Sequence, residues 1–278
     1  MLEQSFCHIP GVGAKTEQGL WAAGIHHWRH VAGHPALPAR RAVALTQYAS
    51  ESLARLAARD VRFFAERLPA NEQWRLFPHF REHIAYLDIE TTGLGNSGDH
   101  ITTIALYDGQ TIHHYVYGEN LPQFKHDILD YDLLVTFNGK CFDIPFITSY
   151  FGMALPTPHI DLRFVFRALG YRGGLKKIER TLGFDRGDLA EVDGYFAVLL
   201  WYDYCKGKNH AALDSLLAYN ILDAVNLEAL LVHAYNLHIA NTPFAEALRL
   251  PTPISPANPF AADEATVTRL QRSYYGGW

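Results

Sequence analysis

Apolar residues in the first eighty positions return at helical intervals. Over 41–68, Ala42, Val43, Leu45, Leu53, Leu56, Val61, Phe63 and Phe64 keep approximate helical spacing, and 12–33 also reads as helical. At His83 the period shortens. Ile84-Ala85-Tyr86-Leu87 is an apolar run of strand formers, and 101–107 and 111–117 read as the next two strands, joined through an Asp108-Gly109 hairpin turn. A fourth strand at 133–137 is followed by a helix over 143–151. The short segment 159–162 then precedes several helices, ending in a long one over 211–239. Three hairpin-like strands followed by strand–helix alternation predict an α/β fold, a mixed sheet flanked by helices, with a small helical N-terminal region. The expected divisions are 1–80, 83–240 and 241–278. In the last, Pro243, Pro251, Pro253, Pro256 and Pro259 predict an extended strap over 241–260, and Tyr274-Tyr275-Gly276-Gly277-Trp278 reads as a mobile end.

Composition narrows the class. The 278 residues are 49% hydrophobic and 19% charged, enough for a sizeable core and too apolar for global disorder. No continuous apolar run approaches the ~20 residues of a bilayer span, and no Lys or Arg precedes Lys15, so the sequence predicts a soluble cytoplasmic chain. Cys7, Cys141 and Cys205 are odd in number and far apart, which argues against a disulfide framework or a zinc ribbon. A net charge of −5 excludes a basic coat for nucleic acid, yet the charge is uneven: 83–240 carries 11 basic and 19 acidic side chains.

Three short motifs supply candidate chemistry for that acid excess. In Leu87-Asp88-Ile89-Glu90-Thr91-Thr92-Gly93-Leu94, alternation along a strand puts Asp88 and Glu90 on one face at its end. Two adjacent carboxylates there either are solvated strand-end acids or hold a hard divalent cation. In Phe137-Asn138-Gly139-Lys140-Cys141-Phe142-Asp143, a strand runs into a glycine turn, and Asp143 is either the N-cap of the next helix or a further ligand. In Tyr219-Asn220-Ile221-Leu222-Asp223, the i, i+4 spacing sets Tyr219 and Asp223 on one face of the long helix, as surface residues or as site residues.

Taken in order, D-x-E on a strand, Asp after a strand–turn and Y-x-x-x-D on a late helix, the motifs resemble those of the DEDD exonucleases, tyrosine subclass, of the ribonuclease-H-like superfamily. The Asn138-x-x-x-Phe142-Asp143 form is similar to the second exonuclease motif of family-B DNA polymerase proofreading domains. The histidine subclass would carry His where this chain has Ala218. Gly174-Leu175-Lys176-Lys177-Ile178-Glu179-Arg180-Thr181-Leu182-Gly183, Asp193-Gly194 and Tyr219-Asn220-x-x-Asp223 resemble the YprB-like ribonuclease-H-like group, over about 83–235. The resemblance implies a 3′→5′ exonuclease in which Asp88, Glu90, Asp143 and Asp223 hold two Mg²⁺ or Mn²⁺ ions roughly 4 Å apart. Tyr219 would orient the attacking water. The four acids must then converge without arginine partners that bar the ions.

Candidate substrate contacts complete the reading. Arg163, Arg167, Arg172, Lys176, Lys177, Arg180 and Arg186 stand against only Glu179 and Asp185. Arg172 and Lys176, at the opening of a helix after Gly173-Gly174, are candidate phosphate contacts or an ordinary solvated helix face. Thr92 and Asn138, within the acidic motifs, are further candidates. The segment 9–25 resembles the hairpin and second helix of a helix-hairpin-helix, in which Gly11 and Gly13 would offer backbone N–H groups to nucleic-acid phosphates; the preceding helix would be very short. The expected partner is nucleic acid, DNA or RNA, with a single-stranded 3′ end favoured and no membrane. A non-catalytic binding module and a structure-directed endonuclease are the alternatives.

Overall fold

Five strands, β1 (Ile84–Thr91), β2 (Ile101–Tyr107), β3 (Ile112–Val116), β4 (Leu133–Thr136) and β5 (His159–Asp161), form one sheet in the order β3-β2-β1-β4-β5. β1 pairs antiparallel with β2, and β2 with β3; β4 runs parallel to β1, and β5 to β4. The mixed α/β sheet predicted from the alternation is therefore present. This computed structural model describes residues 1–190 and 192–275; of the predicted mobile end at 274–278, the first two positions instead close a helix, Glu264–Tyr275, and 276–278 lie outside the described residues.

Helices α1 (Ala14–Ala22), α2 (Ala39–Ala57), α3 (Val61–Ala65) and α4 (Phe77–Phe80) precede the sheet. Two long helical expectations are corrected here. The segment 12–33 resolves into α1 and a separate 3₁₀ turn at Trp28–His30, after Gly24 turns left-handed with φ 86°. The segment 41–68 breaks after α2, where Arg59 adopts φ 53° and the Asp60 carboxylate accepts from the Phe63 N–H at 3.0 Å to start α3. Within and after the sheet come α5 (Phe124–Asp127), α6 (Asp143–Phe151), α7 (Leu162–Ala168), α8 (Leu175–Leu182), α9 (Gly194–Gly207) and α10 (His210–Ile239). The region 241–260 forms no regular element. Asn236 and Asn258 pin it to α10, the latter through the Ala218 carbonyl at 2.8 Å. Beyond it lies a helix not expected from the proline-rich texture, α11 (Glu264–Tyr275), begun by Asp263 accepting from the Thr266 N–H.

Alternation along β1 sorts its residues between two cores. Ala85, Leu87 and Ile89 face Phe124, Ile128 and Ile147, while Ile84 and Tyr86 join the larger core that contains α10. By length and a mean hydropathy of 1.4 over its most apolar stretch, α10 could cross a bilayer. With 89% of that stretch buried inside the protein, it is instead the central core helix, packed across β1 and β2. The N-terminal region enters the same core: Trp74 stacks on His238 at 4.7 Å and meets Tyr235 edge-on, both on α10. Behind it, buried Glu17 accepts from Ser5, Phe6 and Cys7 and pairs with Arg75 at 2.9 Å. Arg75 also pairs with Glu72, so neither charge is left bare in the interior.

Candidate active site

The face of β1 that carries Ile84 and Tyr86 continues as Asp88 and Glu90, so the strand's apolar face turns acidic at its C-terminal end. β4 stops opposite this point: Tyr86 is its last registered partner on β1, at Val135. Past that position the β4 chain leaves in a turn, which opens a crevice at the carboxyl ends of two parallel strands.

The turn is held by its own chemistry. Asn138 sits in the left-handed region at φ 68°, and a Cβ on Gly139 would fall 2.2 Å from the Thr136 hydroxyl oxygen. Thr136 accepts from the Gly139 N–H at 3.0 Å. Asp161, at the end of β5 and fully buried, accepts from the backbone N–H groups of Asn138, Lys140 and Arg163 at 2.8, 3.1 and 3.0 Å. These bonds fix where α6 starts. Asp143 is the first residue of α6; the N-cap is Phe142, so the capping role is excluded and the Asp143 carboxylate is free for other work. From the far side, α10 brings in Tyr219 and Asp223 one turn apart, both buried.

Asp88, Glu90 and Asp223 present carboxylate oxygens all within 4.8 Å of one another. Asp143 is outside this group of three but near enough for its charge to act on both strand acids. Burial pushes Asp88 and Glu90 well above the usual carboxylate range, and the negative charges of Asp223 and Asp143 push both further. Asp143 is raised to about 7, again mainly by burial. Burial also raises the Tyr219 hydroxyl far above its ordinary value, with Asp223, Glu90 and Asp88 adding to the effect. Four acids gathered at this point, Glu90, Asp143 and Asp223 buried and Asp88 partly so, are a poor ending for a core strand and a good all-oxygen cradle for a hard divalent cation. The donor set fits Mg²⁺ or Mn²⁺.

The expectation that no arginine enters is corrected. Arg186, following α8, pairs with Glu179 at 2.6 Å and with Oδ1 of Asp223. It engages Asp223 alone; among the described residues no Lys or Arg pairs with Asp88, Glu90 or Asp143, so the cluster stays largely uncompensated. Glu179 is itself held by the Asn226 amide at 2.8 Å, and the Asn220 amide donates to Asp88 Oδ2 at 2.7 Å. The Lys176 ammonium is buried without a hydrogen-bond partner and lies 4.7 Å from the centre of the Tyr219 ring.

The substrate candidates divide. Asn138 and Arg172 line one cavity beside the acidic crevice, and Lys176 lies over the Tyr219 ring. The Thr92 hydroxyl accepts instead from the His100 N–H at 3.0 Å and closes the loop after β1. Gly11, at φ 78°, and Gly13, the N-cap of α1, are exposed in the N-terminal turn, preceded only by a 3₁₀ turn at Leu2–Gln4. Sequence reading missed Asp161, Arg186, Glu179, Asn220 and Asn226. Of these, Asn220 and Glu179 fall inside the quoted motifs and Arg186 inside the basic run, while Asp161 and Asn226 carry no local mark.

Sheet order, crevice and acid-lined strand end define a ribonuclease-H-like α/β domain. A family match confirms it: residues 85–235 match the RNase_H superfamily, and the chain belongs to that superfamily. A relative in Bacillus subtilis (strain 168), the uncharacterized protein YprB, is 27% identical over 175 residues, covering 55% of this chain and 42% of the relative. The matched stretch thus spans less than half the relative's length. A solved structure described as the apo form of the nuclease is similar with a TM-score of 0.42 at 20% identity, covering 71% of this chain and 87% of that one.

Proposed function

We propose that the protein is a metal-dependent nuclease that shortens single-stranded DNA or RNA from the 3′ end. Asp88, Glu90, Asp143 and Asp223 would hold two Mg²⁺ or Mn²⁺ ions. The observation that carries this reading is the cluster of Asp88, Glu90 and Asp223 carboxylates from β1 and α10, with buried Asp143 of α6 beside them and a single arginine touching one of the four. The chemistry such ions supply is Lewis-acid activation of water and neutralisation of charge on the phosphate.

The chain's own groups do the rest. The Tyr219 hydroxyl stays protonated at any working pH and can position the attacking water by hydrogen bonding. The Lys176 ammonium, unpartnered beside that ring, is placed to meet a phosphate oxygen. Asn220 orients Asp88, Arg186 fixes one oxygen of Asp223, and Asp161 sets the turn that delivers Asp143.

The test is digestion of a 5′-labelled single strand in Mn²⁺. The expected product is a ladder shortening from the 3′ end, abolished in Asp88→Ala and slowed roughly 10²-fold in Tyr219→Phe with the fold intact. Persistent cleavage by Asp88→Ala would overturn the site. Internal cutting of a circular strand would make the enzyme an endonuclease. Salt-sensitive binding without turnover in any divalent cation would make the chain a binding module.

A further inference from the structure

Beside the acidic crevice lies a second feature of opposite charge. A cavity of about 660 Å³ opens between the β4–α6 turn and the α7–α8 connection, bordered by Phe137, Asn138, Arg163, Arg167, Tyr171 and Arg172. Arg163 and Arg167 stand one turn apart on α7, and Arg172 follows it, so three guanidinium groups converge on one space. Among the described residues no carboxylate lines it. Among the described residues none of the three is ion-paired; Arg163 donates only to the side-chain oxygen of Asn138, and Arg167 makes no side-chain hydrogen bond. Asp161, at the start of α7, is buried and spends both oxygens on backbone N–H groups. Three exposed cations held together unpaired repel one another, and the arrangement is relieved by a polyanion.

The cavity also offers flat apolar surface. Tyr171 is half-buried, its ring braced edge-on against Phe166 at 5.7 Å, and half-buried Phe137 is the residue that follows β4. Fixed ring faces beside mobile guanidinium groups suit a base and its flanking phosphates. The position is contiguous with the carboxylates. Asn138 opens the turn that ends at Asp143, and Leu175, which also lines the cavity, precedes the Lys176 that covers Tyr219.

We infer that this cavity is a nucleotide subsite, taking a nucleotide of a single strand next to the phosphate held at the acidic cluster. The inference rests on the nuclease reading, and its test keeps the two apart. A 5′-fluorescein-labelled oligonucleotide is titrated in EDTA, where nothing is cut, across a salt series. Arg163→Ala/Arg167→Ala should weaken binding at least tenfold and flatten the slope of log affinity against log salt by about 1.4, or about 0.7 per lost phosphate contact. Tyr171→Leu should weaken binding about fivefold or more at an unchanged slope. Arg167→Ala alone, which breaks no hydrogen bond, should flatten the slope by about 0.7 and covers the case in which losing Arg163 disturbs Asn138.

Wild-type affinity and slope in all three variants would overturn the subsite, as would displacement of the strand by millimolar inorganic phosphate, which would mark a plain anion site. If the wild type cuts in Mn²⁺ while binding ignores these substitutions, the subsite alone fails. If the substitutions weaken binding and the wild type never cuts, the subsite stands and the nuclease reading falls.

Discussion

Asp143 illustrates what a buried carboxylate costs and what it implies. Its folded-state value of about 7 lies above the ordinary 3.8, so between those limits the folded chain binds more protons than the unfolded one. Stability therefore falls as pH rises through that window, and Asp143 adds no further loss above it. Asp88 and Glu90, raised by the same burial, carry the trend to higher pH. In EDTA the melting-temperature advantage of Asp143→Asn over the wild type should grow from pH 4.5 to pH 8, while His8, His79, His159 and His238, held below their ordinary value by burial, act on both proteins alike in the opposite direction below about pH 6.5. Mn²⁺ should restore most at the alkaline end. An advantage of Asp143→Asn that does not change with pH would contradict this electrostatic picture. Asp88, Glu90, Asp143, Tyr219 and Asp223 were legible because each pair or singleton sits in a short motif whose geometry is set by its own strand, turn or helix. Arg186 was not, because its partner Asp223 is 37 positions away and no local period marks it. Asp161 was hidden for the same reason, its work being to receive N–H groups of a distant turn.

Among the elements, the β4–α6 connection carries the tightest requirement. With Thr136 against the Cα of residue 139, a methyl group there must displace the side chain that closes the turn. Gly139→Ala is expected to destabilise the protein by about 1–3 kcal/mol and to lower nuclease activity more than tenfold by moving Asp143. Denaturant melts alongside rate measurements would check both, and a wild-type rate would show that the turn tolerates the shift. The sheet and the start of α6 were readable from period and turn chemistry. The break between α2 and α3 was not, because apolar spacing continues through it and the left-handed stop falls on Arg59 where glycine is the usual marker. α11 escaped because its sequence is weakly apolar and follows a proline-rich stretch.

At the scale of the molecule, the region before the sheet is part of the same interior as α10. Phe6, Trp28, Phe64, Trp74, Phe77 and Phe80 are almost wholly buried in the core that also holds Leu216 and Tyr235. A fragment cut to residues 85–235 would keep every candidate ligand yet expose the large apolar face of α10 that these aromatics cover. Such a fragment is expected to aggregate on expression while the whole chain stays monodisperse, as size-exclusion chromatography would show. A folded, active fragment would mean that the aromatic cover is dispensable. This packing could not be read from periodicity, which reports that a helix has an apolar face but not what covers it.

The long sequence gap between the two ends of the acidic cluster has a temporal meaning. Asn220, one turn of helix from Asp223, reaches back across 132 positions to touch Asp88. At ribosomal speeds of about 5–20 residues per second, that separation is on the order of ten seconds of synthesis. Until its end the emerging polypeptide lacks Asp223 and Tyr219, the acid that would complete the cation cage and the hydroxyl that would aim a water. On the nuclease reading, competence therefore begins only once α10 has been made and docked.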